Sequence, residues 1–256
     1  MARTATVSPW KHAIVVGASS GIGAAVAREL GRQGCRVALV ARREEELRRV
    51  ADAINGAGAT HDLARLYVHD VTAYDEVPGL LERICRDLGG LDLIVYAAGV
   101  MPRLAADEYT FDKDRRTLEV NVLGAVAWLN EAAQRFALAR AGTIVGIASV
   151  AGDRGRRGNP VYCTSKAALA TYLEALRNRV GRHGVAVVTV KPGPVDTPMS
   201  RGVERRPFVI GADDAARQIL AAARRRAVVA YVPRIWQPIM FVIRHLPSRI
   251  FRHLDL

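Results

Sequence analysis

Tyr162 and Lys166 stand four residues apart, so a helix through residues 162–177 carries a phenol and an ammonium on one face, one turn apart. A tyrosine hydroxyl titrates near 10 and is a poor proton donor or acceptor at neutral pH. A neighbouring cation favours the phenolate and lowers that value, which makes the phenol a usable general acid or base. Ser149, thirteen residues before Tyr162, follows the apolar run 143–148 and would hold a substrate oxygen against the phenol if strand and helix pack side by side. Of 37 basic residues only four are lysine, so a chain that prefers arginine keeps lysine at 166. A guanidinium there would stay charged without making the same compact contact.

The elements that must position these groups alternate along the chain. Residues 12–16 form a short β-branched run, followed by Gly17-Ala18-Ser19-Ser20-Gly21-Ile22-Gly23 and a helical pattern through Leu30. This reads as strand, glycine turn and helix, with free amides at the helix start facing a pyrophosphate. A tight turn with no ligand is the alternative. The second strand, 36–41, ends at Arg42 and Arg43, where an NAD-preferring dinucleotide fold places an acid. Two arginines beside Ser19 and Ser20 suit the 2′-phosphate of NADP; otherwise they are a solvated helix start. A third strand is expected over 65–71. It carries Asp70 and Val71, the former a partner for an adenine amino group or a cap for the helix starting near Thr72.

Residues 91–96 predict a fourth strand closed by Ala97, Ala98 and Gly99, small enough for a ribose to lie close. A long helical region to Arg140 follows and carries Asn121, which inside an apolar helix is costly unless bonded. It is either structural or a hydrogen-bond relay. Strand 143–148, helix 159–182 and strand 185–190 complete the pattern. The order predicts one α/β domain over residues 1–256: a Rossmann-type, doubly wound parallel sheet of seven strands, six of them placed here, with a crevice at the carboxyl ends.

A chain of 256 residues, half of them hydrophobic, buries a full core. A net charge of +12 and pI near 10.3 favour anionic partners. The three cysteines lack metal-ligand spacing, so a reduced compartment without structural metal is expected. Residues 1–11 show no apolar leader and no run is long enough to span a bilayer, which points to the cytoplasm.

With these residues in view the sequence resembles the short-chain dehydrogenase/reductase family, clearly over residues 11–199. Gly17, Gly21, Gly23, Asp70, Ala98-Gly99, Asn121, Ser149, Tyr162, Lys166, Pro192-Gly193 and Thr197 carry the likeness. The resemblance implies an oxidoreductase that interconverts a carbonyl and an alcohol with a nicotinamide cofactor, NADP(H) being preferred on the two arginines above, as a homodimer or homotetramer. Tyr162 would be the proton donor and Ser149 would orient the carbonyl. Lys166 would bind the nicotinamide ribose and tune the phenol, with Asn121 supporting a relay to it. Thr197 and the backbone at Val195 would hold the nicotinamide amide, with Pro192 also binding the cofactor. The chain departs from the family's pattern with Val16 before the first glycine and with Tyr96-Ala97-Ala98-Gly99 after the fourth strand. That turn is therefore expected to lack side-chain amide support.

Arg154, Arg156 and Arg157 lie between Ser149 and Tyr162, while Arg201, Arg205 and Arg206 fall in segment 199–210, where the family keeps a substrate lid. Basic groups from two loops are thus expected at one mouth and suit an anionic substrate, although plain solubilising charge fits them equally. Segment 234–256 is basic and amphipathic: Trp236, Met240 and Ile243 repeat near helical spacing, and Pro247 interrupts them. It would lie on an anionic membrane, making the protein peripheral on the inner face, or pack on a neighbouring subunit. Arginine-rich mouth and tail together are similar to the reductases of polyprenyl-phosphate-linked keto sugars, the decaprenylphosphoryl 2-keto-pentose reductase subgroup. The rival readings are a nonenzymatic NADP-binding regulator and a membrane adaptor; no nucleic-acid partner is expected.

Overall fold

A computed structural model describes residues 8–56, 62–105, 107–201 and 206–254. The chain runs β1 (His12–Val16), α1 (Gly21–Arg32), β2 (Arg36–Ala41), α2 (Glu44–Asn55), β3 (Ala64–Val68), α3 (Val77–Leu88), β4 (Leu93–Tyr96), α4 (Phe111–Leu118) and α5 (Gly124–Ala139). It continues with β5 (Thr143–Ile147), α6 (Pro160–Val180), β6 (Ala186–Pro192), the short pair β7 (Val195–Asp196) and β8 (Ile210–Gly211), α7 (Ala212–Arg224), β9 (Val229–Val232), α8 (Trp236–His245) and α9 (Ser248–Phe251).

Seven strands pair in the order β3-β2-β1-β4-β5-β6-β9, all parallel. The order reverses between β1 and β4, which opens a crevice at the carboxyl ends of those strands. Strands covered on both faces read as continuous apolar runs, and β1, β4 and β5 are buried along almost their whole length. Helices α1, α2 and α7 pack on one face and α3, α5 and α6 on the other.

Several boundaries differ from the sequence reading. The third strand stops at Val68, so Asp70 sits in a turn beyond it. The helical region before Arg140 starts only at Phe111 and contains a π-turn at Glu119–Leu123. The strand that composition could not place is β9. It is short and half exposed at the sheet edge, it follows three consecutive arginines, and so it reads as part of a basic tail. Pro247 does end a helix, separating α8 from α9.

Candidate active site

The glycine turn between β1 and α1 is built for close approach. Gly17 adopts φ +91°, and a Cβ there would collide with the Ala98 backbone, while one on Gly23 would collide with the Gly17 carbonyl. Only a residue without a side chain fits either place. Ser20 occupies the N-cap of α1 without giving it a side-chain bond, and no acid lies in the first turn. The helix start therefore keeps unsatisfied N–H groups and partial positive charge for an anion. Arg43 donates to Ser19 Oγ at 2.9 Å and Ser20 Oγ at 2.8 Å. Arg42 lies further round, 3.5 Å from Asp70.

Asp70 is held at about 2: burial pushes its carboxyl up, and bonds from the Thr72 amide and hydroxyl and from Arg116 outweigh that effect. It caps the local turn rather than a helix, since the next helical turn, Tyr74–Glu76, has Ala73 at its N-cap.

Asn121 occupies the π-turn, is fully buried and is bonded on every side. Its Oδ1 accepts from Val100 N at 2.8 Å, and its Nδ2 donates to Val100 O and to Ser165 Oγ, both at 3.0 Å. The turn after β4 is thus braced by an amide from a distant element, contrary to the expectation from its own residues. Tyr96, where the family pattern has asparagine, donates to Val120 O at 2.6 Å and braces the same region. A Cβ on Gly99 would stand 3.3 Å from Asn121 Oδ1 and 3.4 Å from Lys166 Nζ, so those groups border one small space.

Pro160 and Asn159 start α6, the latter accepting from Tyr162 N at 3.3 Å. Tyr162 and Lys166 face the crevice from this helix and Ser149 faces it from the end of β5. Ser149 Oγ accepts from Ala151 N at 3.1 Å. The electrostatics differ from the sequence reading. Lys166, 5% exposed, donates to Ile147 O at 3.0 Å, and its Nζ lies 5.8 Å from the Tyr162 ring centroid. Burial pushes that ammonium down to about 8. Burial also raises the Tyr162 phenol, while a hydrogen bond with Ser149 and the nearby Arg156 guanidinium pull it down. The phenol is accordingly held above its ordinary value, and its modulators in this arrangement are Ser149 and Arg156 rather than Lys166. Such a phenol stays protonated throughout the neutral range, loaded as an acid.

Every residue predicted to bind a cofactor lines a single cleft of about 550 Å³, among them Ile22, Val71, Ala98, Gly99, Pro192, Val195 and Thr197. Asn121 does not line it but bonds Val100, which does. Of residues 199–210, expected to act as a lid, Met199, Ser200, Arg206 and Pro207 line the cleft, while Arg205 lies outside the described residues.

Three features escaped the sequence. Arg154 lines the cleft as expected, and its guanidinium also donates to the carbonyls of Ile243 at 3.0 Å, Arg244 at 3.1 Å and Leu246 at 2.6 Å and stacks 4.3 Å from the Phe251 ring centroid. It caps the C-terminal end of α8, where a cation also meets the helix dipole. Asp153 is buried and bonded to Lys191 and, at 2.6 Å, to the Tyr231 hydroxyl, tying the loop after β5 to β6 and β9. Trp236 and Met240 of α8 are buried against Val150, and a Cβ on Gly193 would collide with the Trp236 indole. The rarity of lysine was the available signal for Lys191. The other two join positions too far apart in the chain for spacing to find.

Among the described residues no cluster of His, Cys, Asp or Glu has the makings of a metal site, and no helix is long and apolar enough to cross a membrane. The three cysteines are buried and free.

Residues 11–207 match the family model described as short chain dehydrogenase. Similar proteins include an uncharacterized oxidoreductase of Staphylococcus epidermidis, 32% identical over 194 residues, covering 76% of this chain and 82% of the relative. Another, from Myxococcus xanthus, is 35% identical over 191 residues, covering 75% and 74%. Among solved structures, a short-chain type dehydrogenase/reductase from Mycobacterium marinum is 27% identical with a TM-score of 0.79, over 90% of this chain and 97% of that one. A variant of actinorhodin polyketide ketoreductase solved with NADPH is 27% identical with a TM-score of 0.78, over 89% and 97%.

Proposed function

Because the chain belongs to the short-chain dehydrogenase family, we propose that it is an NADP(H)-dependent oxidoreductase interconverting a carbonyl and an alcohol. The observation that carries this reading is the convergence of Ser149, Tyr162 and Lys166 on the cleft that the glycine turn opens. Gly17, Gly21 and Gly23 let the dinucleotide backbone approach, with the start of α1 taking its pyrophosphate. Asp70 and Val71 would hold the adenine, Ala98 and Gly99 the ribose, and Thr197 with the Val195 backbone the carboxamide, with Pro192 also on the cofactor side of the cleft. When bound, the reduced nicotinamide supplies the hydride. Tyr162 gives its proton to the carbonyl oxygen, and Ser149 donates a hydrogen bond to the same oxygen and so polarises it. Lys166 holds ribose hydroxyls with the protons that Ile147 leaves free. Asn121 is a positioning residue for the Gly99–Val100 backbone, and residues 199–210 are the lid.

The preference for NADP rests on Arg43 with its two serine partners and on Arg42 beside them. Arg43→Ala should weaken NADPH binding about 10- to 100-fold, the range for a charged hydrogen bond, and leave NADH nearly unchanged in a fluorescence titration. Equal losses for both cofactors would remove the phosphate assignment.

A lipid-linked or anionic substrate met at an anionic membrane is the finer reading, with the rest of the chain in the cytoplasm. Phe241, Val242, Ile250 and Leu254 are exposed on and beyond α8, close in sequence to Arg249 and Arg252, and support it. Phe241→Asp combined with Val242→Asp changes exposed side chains only. It should abolish cosedimentation with phosphatidylglycerol vesicles, and undiminished cosedimentation would refute membrane docking.

A further inference from the structure

The arginines near the cleft are not equivalent. Arg154 is committed to the end of α8 and Arg206 to Asp196 at 3.1 Å, while Arg43 is held by Ser19 and Ser20. Arg156 lines the same cleft, is half-buried, and has no acidic or hydrogen-bonding partner among the described residues. It is near enough to Tyr162 to act on the phenol through space. A guanidinium that is partly withdrawn from water and left uncompensated favours any anion brought to it. The same cleft also has an apolar wall that comes from a part of the chain beyond residues 11–207: Trp236, Met240, Ile243 and Phe251.

We infer that the substrate is an amphipathic anion, whose oxyanion group is received by Arg156 close to the reacting carbonyl and whose hydrocarbon part lies along the wall formed by α8 and α9. This rests on the dehydrogenase reading for the carbonyl itself, but the anion site stands on its own geometry. Carboxylate and phosphate share the chemistry that Arg156 recognises, since both present paired oxygens to a planar fork. The apolar wall selects for chain length: each methylene moved from water is worth about 0.8 kcal/mol, roughly fourfold in affinity.

The experiment is a binding titration of the full chain with NADP present, using decanoate, decyl phosphate, 1-decanol and acetate, read calorimetrically. NADP affinity is measured on the same samples. The wild-type chain should bind decanoate or decyl phosphate at least about tenfold tighter than 1-decanol, and decanoate far tighter than acetate. Whichever of the two anions is preferred identifies the oxyanion. Arg156→Ala should erase the preference over 1-decanol without changing NADP affinity, and Arg156→Lys should restore part of it, because a point charge replaces a fork. A wild-type chain that binds 1-decanol as well as the anions, or an Arg156→Ala chain that keeps the preference, overturns the inference. Failure to bind NADP would instead count against the dehydrogenase reading, whatever the anions do.

Discussion

Tyr162→Phe should lower kcat for ketone reduction by roughly 10³-fold, within the range for loss of a positioned general acid, while NADPH binding stays within twofold, a change worth only about 0.4 kcal/mol. The phenylalanine keeps the ring and loses only the oxygen that faces Ser149, so the cleft and the start of α6 keep their packing. The pH dependence has a definite sign. Burial raises the phenol, so the acid form is present at and below neutrality, and reduction should be flat there and decline only on the alkaline side. Oxidation of the alcohol needs the phenolate and should rise with pH over the same alkaline limb. Stopped-flow measurement of both directions checks this. A Tyr162→Phe chain that turns over at the wild-type rate would remove the role assigned to the phenol.

Lys166→Met should do two opposite things: weaken cofactor binding and turnover, and make the cofactor-free protein more stable. The ammonium is 5% exposed, with Ile147 O as its acceptor at 3.0 Å. Its value is depressed from 10.5 to about 8 by burial, which at neutral pH is a cost on the order of 3 kcal/mol. Methionine fills similar space without the charge. It leaves the Ile147 carbonyl unpaired, a loss of about 1 kcal/mol. A net gain near 2 kcal/mol corresponds to a Tm higher by roughly 4–8 °C in a domain of this size. The folded state releases the lysine proton first, so the penalty is complete below about 8 and fades as pH rises toward 10.5. The Tm difference between variant and wild type should therefore be largest at neutral pH and shrink across that window. A destabilised variant, or a Tm gap that widens with alkaline pH, would contradict the burial argument. Natural retention of a destabilising lysine has a physical reason if its protons serve a bound ribose, because function then offsets stability.

What could be read from the chain depended on how far apart the interacting residues lie. Gly17, Gly21 and Gly23, and Tyr162 with Lys166, are local patterns whose spacing maps directly onto a turn or a helix face. They converge as expected, on a sheet of the expected class. Spacing alone is insufficient, however. Tyr109 and Lys113 repeat the same separation, yet Tyr109 is 94% exposed and Lys113 is bonded to Glu108. Arg154 lines the cleft as its place in the chain suggested, but its hold on α8 was illegible, because its partners there are about ninety residues away and are backbone carbonyls that sequence cannot flag. The turn after β4 looked unsupported because its amide, Asn121, arrives from the π-turn between α4 and α5. The expected effect of Lys166 on the phenol also depended on orientation. A fourth-place neighbour shares a face, but its ammonium here extends to Ile147.

The most direct measurement is a crystal structure of the chain with NADP bound. The pyrophosphate should lie at the start of α1, the 2′-phosphate against Arg43 and Lys166 Nζ on ribose hydroxyls, with the Tyr162 and Ser149 hydroxyls both opening onto the nicotinamide. A dinucleotide seated elsewhere, or a Tyr162 hydroxyl turned away from the ring, would contradict it.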